Sequence, residues 1–181
     1  MLFRETGISD LFLVELEPAR DHRGFFARAF CAREFRERGI NVEIMQANMS
    51  YSHRRGTLRG LHYQVEPFTG ATMVRCIAGE IFDVIIDLRT ESATYGRWMS
   101  FTLNAENGRM LCIPPGFAHG YLTMTDGATV FYLTSETYMP SHERGIRWND
   151  PLFAIDWPLS TEDGLPILSD KDSRHGDFVV S

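Results

Sequence analysis

Gly108-Arg109-Met110-Leu111-Cys112-Ile113-Pro114-Pro115-Gly116-Phe117-Ala118-His119-Gly120 reads as a strand, a forced bend and the start of a second strand. Gly108 closes a Glu106-Asn107-Gly108 turn, Met110 to Ile113 is apolar and extended, and Pro114-Pro115-Gly116 cannot continue a regular ladder. The bend sets His119 on the inner face of the next strand. The same grammar recurs outward from here. Residues 11–16, 42–51, Ala71 to Cys76, Glu80 to Leu88, Arg97 to Leu103 and Ala128 to Thr134 carry strand-forming residues. Gly, Pro, Asn and Asp punctuate them at intervals of roughly ten residues. This predicts an all-β sandwich or barrel. One short helix is expected over Cys31 to Arg38, ended by Gly39. From Asp150 the chain reads as an irregular wrap over the barrel.

Composition bounds the function. The chain has 181 residues, 44% hydrophobic and 23% charged, with no linker or repeat, which predicts one domain over residues 1–181. The net charge of −6 argues against nucleic acid as a partner. No apolar run reaches membrane-spanning length, and Met1-Leu2-Phe3-Arg4-Glu5-Thr6 lacks the pattern of a signal peptide. Cys31, Cys76 and Cys112 are odd in number and widely spaced, which suits reduced thiols and a cytoplasmic protein.

A second stretch carries chemistry: Arg54-Arg55-Gly56-Thr57-Leu58-Arg59-Gly60-Leu61-His62-Tyr63-Gln64. Arginines beside a histidine suit a phosphate-bearing ligand next to a proton-transfer group. The same residues also suit a surface turn followed by an ordinary strand. Gly108-x5-Pro114-x-Gly116-x2-His119 has the spacing of the second cupin motif, and Gly56-x5-His62-x-Gln64 begins the first. In metal-binding cupins the position of Gln64 is usually a histidine. Gln64 is a weak ligand and Glu66 is out of register, so His62 and His119 fall short of a stable metal set.

The full set of signatures occurs in order. It comprises Asp21-x-Arg23-Gly24-Phe25-Phe26, Arg59-Gly60-Leu61-His62-Tyr63-Gln64, Val74-Arg75-Cys76 with Gly79-Glu80-Ile81-Phe82-Asp83-Val84, and Asp87-Leu88-Arg89. Pro114-Pro115-Gly116-Phe117-Ala118-His119-Gly120 and Leu168-Ser169-x-Lys171-Asp172 complete it. Together they closely resemble the dTDP-4-dehydrorhamnose 3,5-epimerase family of nucleotide-sugar enzymes. The resemblance implies a cupin-type double-stranded β-helix, or jelly-roll barrel, with a short helix and a C-terminal wrap. It implies His62 as catalytic base, Asp172 as its orienting partner and Tyr132, eight residues before Pro140, as acid. It places Gln46, Asn48, Arg59, His119, Tyr138 and Lys171 on substrate-binding positions. Arg23 falls on a position that reaches a neighbouring subunit's ligand through an exchanged N-terminal strand, so a homodimer is implied.

The implied activity is inversion of C3, C5 or both in a nucleotide-diphosphate-linked 4-keto-6-deoxy sugar. The C–H bonds beside a ketone are acidic because the carbanion delocalises as an enolate. Inversion needs a base on one face and an acid on the other, and neither metal nor redox cofactor. Three positions depart from the family pattern. Thr72 stands where the family usually has a lysine facing the enolate. Arg28 stands where a nucleotide-recognising glutamate is frequent, and Leu133 where lysine is common. Arg28 and Thr72 therefore belong with the candidate substrate contacts, and dTDP, CDP or another nucleotide fits. Three alternatives stand beside this reading: a 3,4-ketoisomerase on the same substrate class, a metal cupin, and a sugar-nucleotide binding protein without catalysis.

Overall fold

The computed structural model describes residues 1–159 and 164–179. Its strands, in chain order, are β1 (Leu2–Glu5), β2 (Phe12–Glu15), β3 (Ala19–Asp21), β4 (Gly24–Phe26), β5 (Gln46–Ser52), β6 (Leu58–Gln64) and β7 (Thr72–Ala78). There follow β8 (Glu80–Asp87), β9 (Trp98–Asn104), β10 (Met110–Ile113), β11 (Phe117–Thr123), β12 (Ala128–Thr134) and β13 (Glu143–Gly145). Helix α1 is confined to Ala32–Arg36, within the expected span, and Gly39 leaves it at φ +79°. A 3₁₀ turn covers Asp172–Arg174.

One sheet has the order β1-β2-β10-β7-β12-β5 and the other β13-β6-β11-β8-β9, all paired antiparallel. From β5 to β13 the chain alternates between the two sheets, broken only by the β8–β9 hairpin. This alternation is a jelly roll, and the fold is the all-β cupin-type barrel that the motifs imply. The Pro114-Pro115-Gly116 bend carries the chain from β10 in one sheet to β11 in the other, with Gly116 at φ +85°.

Strand periodicity sorts the apolar residues into three clusters. Val74, Cys76, Ile81, Ile85, Leu111 and Val130 meet between the sheets. Val84 and Ile86 point the other way from β8, and the C-terminal wrap covers them with Ile146, Phe153, Ile155 and Trp157. That is why Glu80 to Leu88 reads as a nearly continuous apolar run: both faces of β8 are buried. Phe35 of α1 packs with Val14, Met73, Met110 and Cys112 on the outer face of the six-stranded sheet. Cys76 and Cys112 are buried free thiols, pushed up by burial to about 11 and about 12. No helix among the described residues is long and apolar enough to cross a membrane.

Candidate active site

A cavity of about 550 Å³ opens between the two sheets at the end where β6, β11, β7 and β12 converge. That size fits a small-molecule ligand. His62 and Arg59 come from β6, His119 and Tyr121 from β11, Thr72 from β7, Tyr132 from β12, and Gln46, Asn48 and Ser50 from β5. Period-two alternation explains the last three: Ala47, Met49 and Tyr51 face outward.

His62 and His119 are Cα partners across β6 and β11. The strands approach so closely there that a Cβ on Gly60 would lie 2.7 Å from both the Gly120 Cα and the His119 carbonyl oxygen. Each histidine has its own carboxylate. His62 Nε2 lies 2.6 Å from Asp172 Oδ1, and Asp172 is only 5% exposed. Burial alone pushes the Asp172 carboxyl up. The His62 hydrogen bond and charge, the Ser169 hydroxyl and the Gly60 N–H outweigh it, so Asp172 sits below the usual carboxylate range. With Nε2 held by the carboxylate, Nδ1 is the ring nitrogen available to a ligand. His119 Nε2 lies 2.9 Å from Asp83 Oδ2. Asp83 faces inward between Ile81 and Ile85 and is fully buried, which raises its carboxyl despite His119.

Tyr132 lies on the facing sheet. Burial raises its phenol and outweighs the nearby Arg59 charge, which opposes this. Arg59 is anchored by Nη2 to the Tyr51 carbonyl at 3.0 Å and Nε to Ser52 Oγ at 3.3 Å. Tyr121 OH and Ser50 Oγ pair at 2.5 Å in the same wall. At the rim, Lys171 Nζ donates to both Glu143 oxygens at 2.8 and 2.9 Å, and Tyr138 OH donates to Oε2 at 2.8 Å. The cations lining the cavity among the described residues are Arg59 and Lys171. Because Lys171 is neutralised by Glu143, Arg59 is the cation not balanced by a carboxylate within hydrogen-bonding distance.

Ten of the expected site residues line this one cavity: His62, Tyr132, Asp172, Gln46, Asn48, Arg59, Thr72, His119, Tyr138 and Lys171. Arg23 and Arg28 do not. Arg23 sits on the exposed β3–β4 turn, 2.6 Å from Asp21, and Arg28 pairs with Glu34 of α1 at 2.9 Å. Arg54 and Arg55 stay in the β5–β6 loop outside the lining, so the arginine cluster contributes only Arg59. Gln64 ties two loops together. Its amide donates to the Phe68 carbonyl at 2.9 Å and its oxygen accepts from the Met139 N–H at 2.6 Å.

Asp83, Glu143 and His175 were not anticipated as site residues. Asp83 had a usable signal, an acid at an inward register position of an apolar strand. For a metal, His62, Asp172 and His175 are the grouping the described residues offer, with ligand atoms within 4.8 Å of one another. Tetrahedral zinc sets its ligand atoms roughly 3.3 Å apart, given arms of about 2.0–2.1 Å. The 2.6 Å His62–Asp172 separation is a hydrogen-bond distance and suits a shared proton instead.

Comparison with known proteins gives the family. The family description dTDP-4-dehydrorhamnose 3,5-epimerase matches residues 5–179. A dTDP-4-dehydrorhamnose 3,5-epimerase of Shigella flexneri is 44% identical over 176 residues, covering 97% of this chain and 94% of that one. The crystal structure of the Bacillus anthracis dTDP-4-dehydrorhamnose 3,5-epimerase with TDP and PPi bound superposes with a TM-score of 0.93 at 38% identity. That match covers 98% and 99% of the two chains. NovW, a 4-keto-6-deoxy sugar epimerase from Streptomyces spheroides, gives a TM-score of 0.90 at 37% identity, covering 98% and 88%. The chain belongs to the dTDP-4-dehydrorhamnose 3,5-epimerase family of isomerases.

Proposed function

We propose that this chain inverts C3, C5 or both of a nucleotide-diphosphate-linked 4-keto-6-deoxy sugar, with His62 as base and Tyr132 as acid. The observation that carries this reading is their placement: the His62–Asp172 pair and the raised Tyr132 phenol line one cavity from two facing sheets. His62 Nδ1 takes the proton from the carbon beside the ketone, and the electron pair delocalises onto the C4 oxygen. Tyr132 then returns a proton to the opposite face of the same carbon. Asp172 holds the tautomer and stabilises the imidazolium. Arg59 faces the enolate, with Thr72 in the place of a second cation. The step leaves His62 protonated and Tyr132 ionised, and exchange with water resets both. No metal or redox cofactor enters this scheme.

The relatives' names point to dTDP as the carrier. Gln46, Asn48, His119, Tyr138 and Lys171 are the substrate contacts of this chain's own cavity. Arg23 and Arg28 lie outside it and serve the cavity of a second copy in a homodimer. A panel of dTDP-, CDP- and GDP-linked 4-keto-6-deoxy sugars in heavy water, read by NMR, tests the function. Deuterium is expected at C3 or C5 of at least one substrate, and His62→Ala is expected to abolish the uptake. Carbonyl migration to C3 would instead identify a 3,4-ketoisomerase. Binding without exchange on every substrate would overturn catalysis altogether.

A further inference from the structure

His175 lies beside the base, and nothing in the scheme above uses it. It follows the 3₁₀ turn, where its N–H reaches the Asp172 carbonyl at 3.3 Å. A step of three residues on such a turn brings two side chains to one side. His175 Nε2 lies 3.4 Å from Asp172 Oδ1, the oxygen that His62 Nε2 already engages. That nitrogen is buried and completes no hydrogen bond, so its approach to Asp172 is a close polar contact. The two imidazoles meet edge to face, with ring centroids 5.6 Å apart and planes at 78°.

The space for this ring is provided by one residue. A Cβ on Gly145 would come within 2.2 Å of both His175 Cε1 and Nε2. Gly145 is the Cα partner of His62 across β13 and β6. A side chain there would displace His175 from the carboxylate. The titratable groups around His175 are His62 from β6, Asp172 and Lys171 from the turn, and Glu143 of β13, which holds Lys171. Burial, His62 and Lys171 all disfavour a charge on His175, and they outweigh the pull of Asp172. A neutral ring with its proton on Nε2 sets an N–H beside Asp172 without bringing a charge to the site.

We propose that His175 is a positioning residue that shares Asp172 Oδ1 with His62. It steadies the carboxylate and weakens that carboxylate's hold on the His62 proton. This rests on the reading of His62 as base. A carboxylate that accepts two N–H groups on one oxygen is a weaker partner for either. Loss of His175 is therefore expected to tighten the Asp172 hold on the His62 ring.

The main readout needs no substrate. In protein labelled with ¹⁵N-histidine, the His62 ring signals are titrated by NMR in wild type, His175→Phe, His175→Gln and Gly145→Ala. In His175→Phe and Gly145→Ala the His62 midpoint is expected to move up by about half a pH unit or more, and the acid limb of kcat/KM with it. His175→Gln, whose amide can donate, is expected to restore it. Gly145→Ala keeps the histidine and supplies the comparison should His175→Phe fail to fold. An unmoved midpoint, or a glutamine variant displaced as far as the phenylalanine one, overturns the proposal. Absence of proton exchange by the wild type on every sugar would sink the epimerase reading while leaving the titration result standing, so the two failures are distinct.

Discussion

Arg59 carries an unusual share of the electrostatics for a single side chain. Thr72 offers a hydroxyl where a cation is usual in the family, and Lys171 is neutralised by Glu143. In the mechanism proposed above, the developing enolate oxygen therefore depends on one guanidinium, anchored by Tyr51 and Ser52. Removing one preorganised donor of this kind costs roughly 10²–10³ in kcat. Arg59→Ala is expected to lose about that much in steady-state turnover. Undiminished turnover in Arg59→Ala would contradict the role. In the mechanism proposed above Tyr132 is the donor, and burial raises its phenol. Its type and spacing to Pro140 were legible in the sequence. Its burial, which raises the phenol, was not.

Strands and turns supply the precision that these residues need. β6 and β11 touch at Gly60 and Gly120, where a Cβ on Gly120 would lie 2.7 Å from the Arg59 carbonyl. This contact sets the spacing of the two histidines. The β8–β9 connection is pinned by Asp87, which accepts from the Arg89 side chain at 2.9 Å, Ser92 at 2.6 Å and Thr94 at 2.7 Å. Burial pushes the Asp87 carboxyl up, but these bonds dominate and hold it at about 2. A carboxyl depressed in the folded state stabilises above its unfolded value and loses that contribution as pH falls through the folded one. Asp87 accordingly contributes on the order of 2 kcal/mol above about pH 4, fading toward pH 2. Urea unfolding should show Asp87→Asn less stable than wild type by about that amount at pH 7, with the gap closing as pH falls toward 2. A gap that stays constant with pH would refute this account. Asp87-Leu88-Arg89 was visible as a motif, whereas the hydroxyls of Ser92 and Thr94 became partners only through the turn.

At the scale of the molecule, the outer face of the six-stranded sheet is only partly covered. α1 and its flanks pack over the β2–β10–β7 side. Beyond them, Met49, Tyr51, Ile77 and Phe131 are exposed on β5, β7 and β12, with Met49 and Phe131 directly paired. Phe25 and Phe26 are exposed on the β3–β4 hairpin that carries Arg23. β1 and β2 are paired within the chain's own sheet, so this hairpin is the N-terminal piece free to reach a second copy. An apolar face of this kind marks an interaction surface, and the homodimer proposed above would bury it. Light scattering is expected to give a dimer for wild type and a monomer for a Met49→Asp, Phe131→Asp double variant. A monomeric wild type would remove the second subunit from the proposal and leave Arg23 and Arg28 without a site.

The sequence by itself determined most of the barrel strands, though not β1, β3 or β13, together with the Pro114-Pro115-Gly116 bend and the inward register of His119. Period-two alternation and proline and glycine stereochemistry are local, and local rules survive without coordinates. It also supplied the ordered motifs that carry the family likeness. Only the tertiary structure decided which wall each group occupies. Asp172 reaches His62 from 110 residues away because the C-terminal wrap folds back over β6. Arg54 and Arg55, near the base in sequence, end outside the cavity, as does Arg28, while His175 and Asp83 end beside the two histidines. Alternation tells which face of a strand a residue takes. It does not tell what the opposite sheet or a returning turn will place against that face, since those contacts depend on chain closure over long separations.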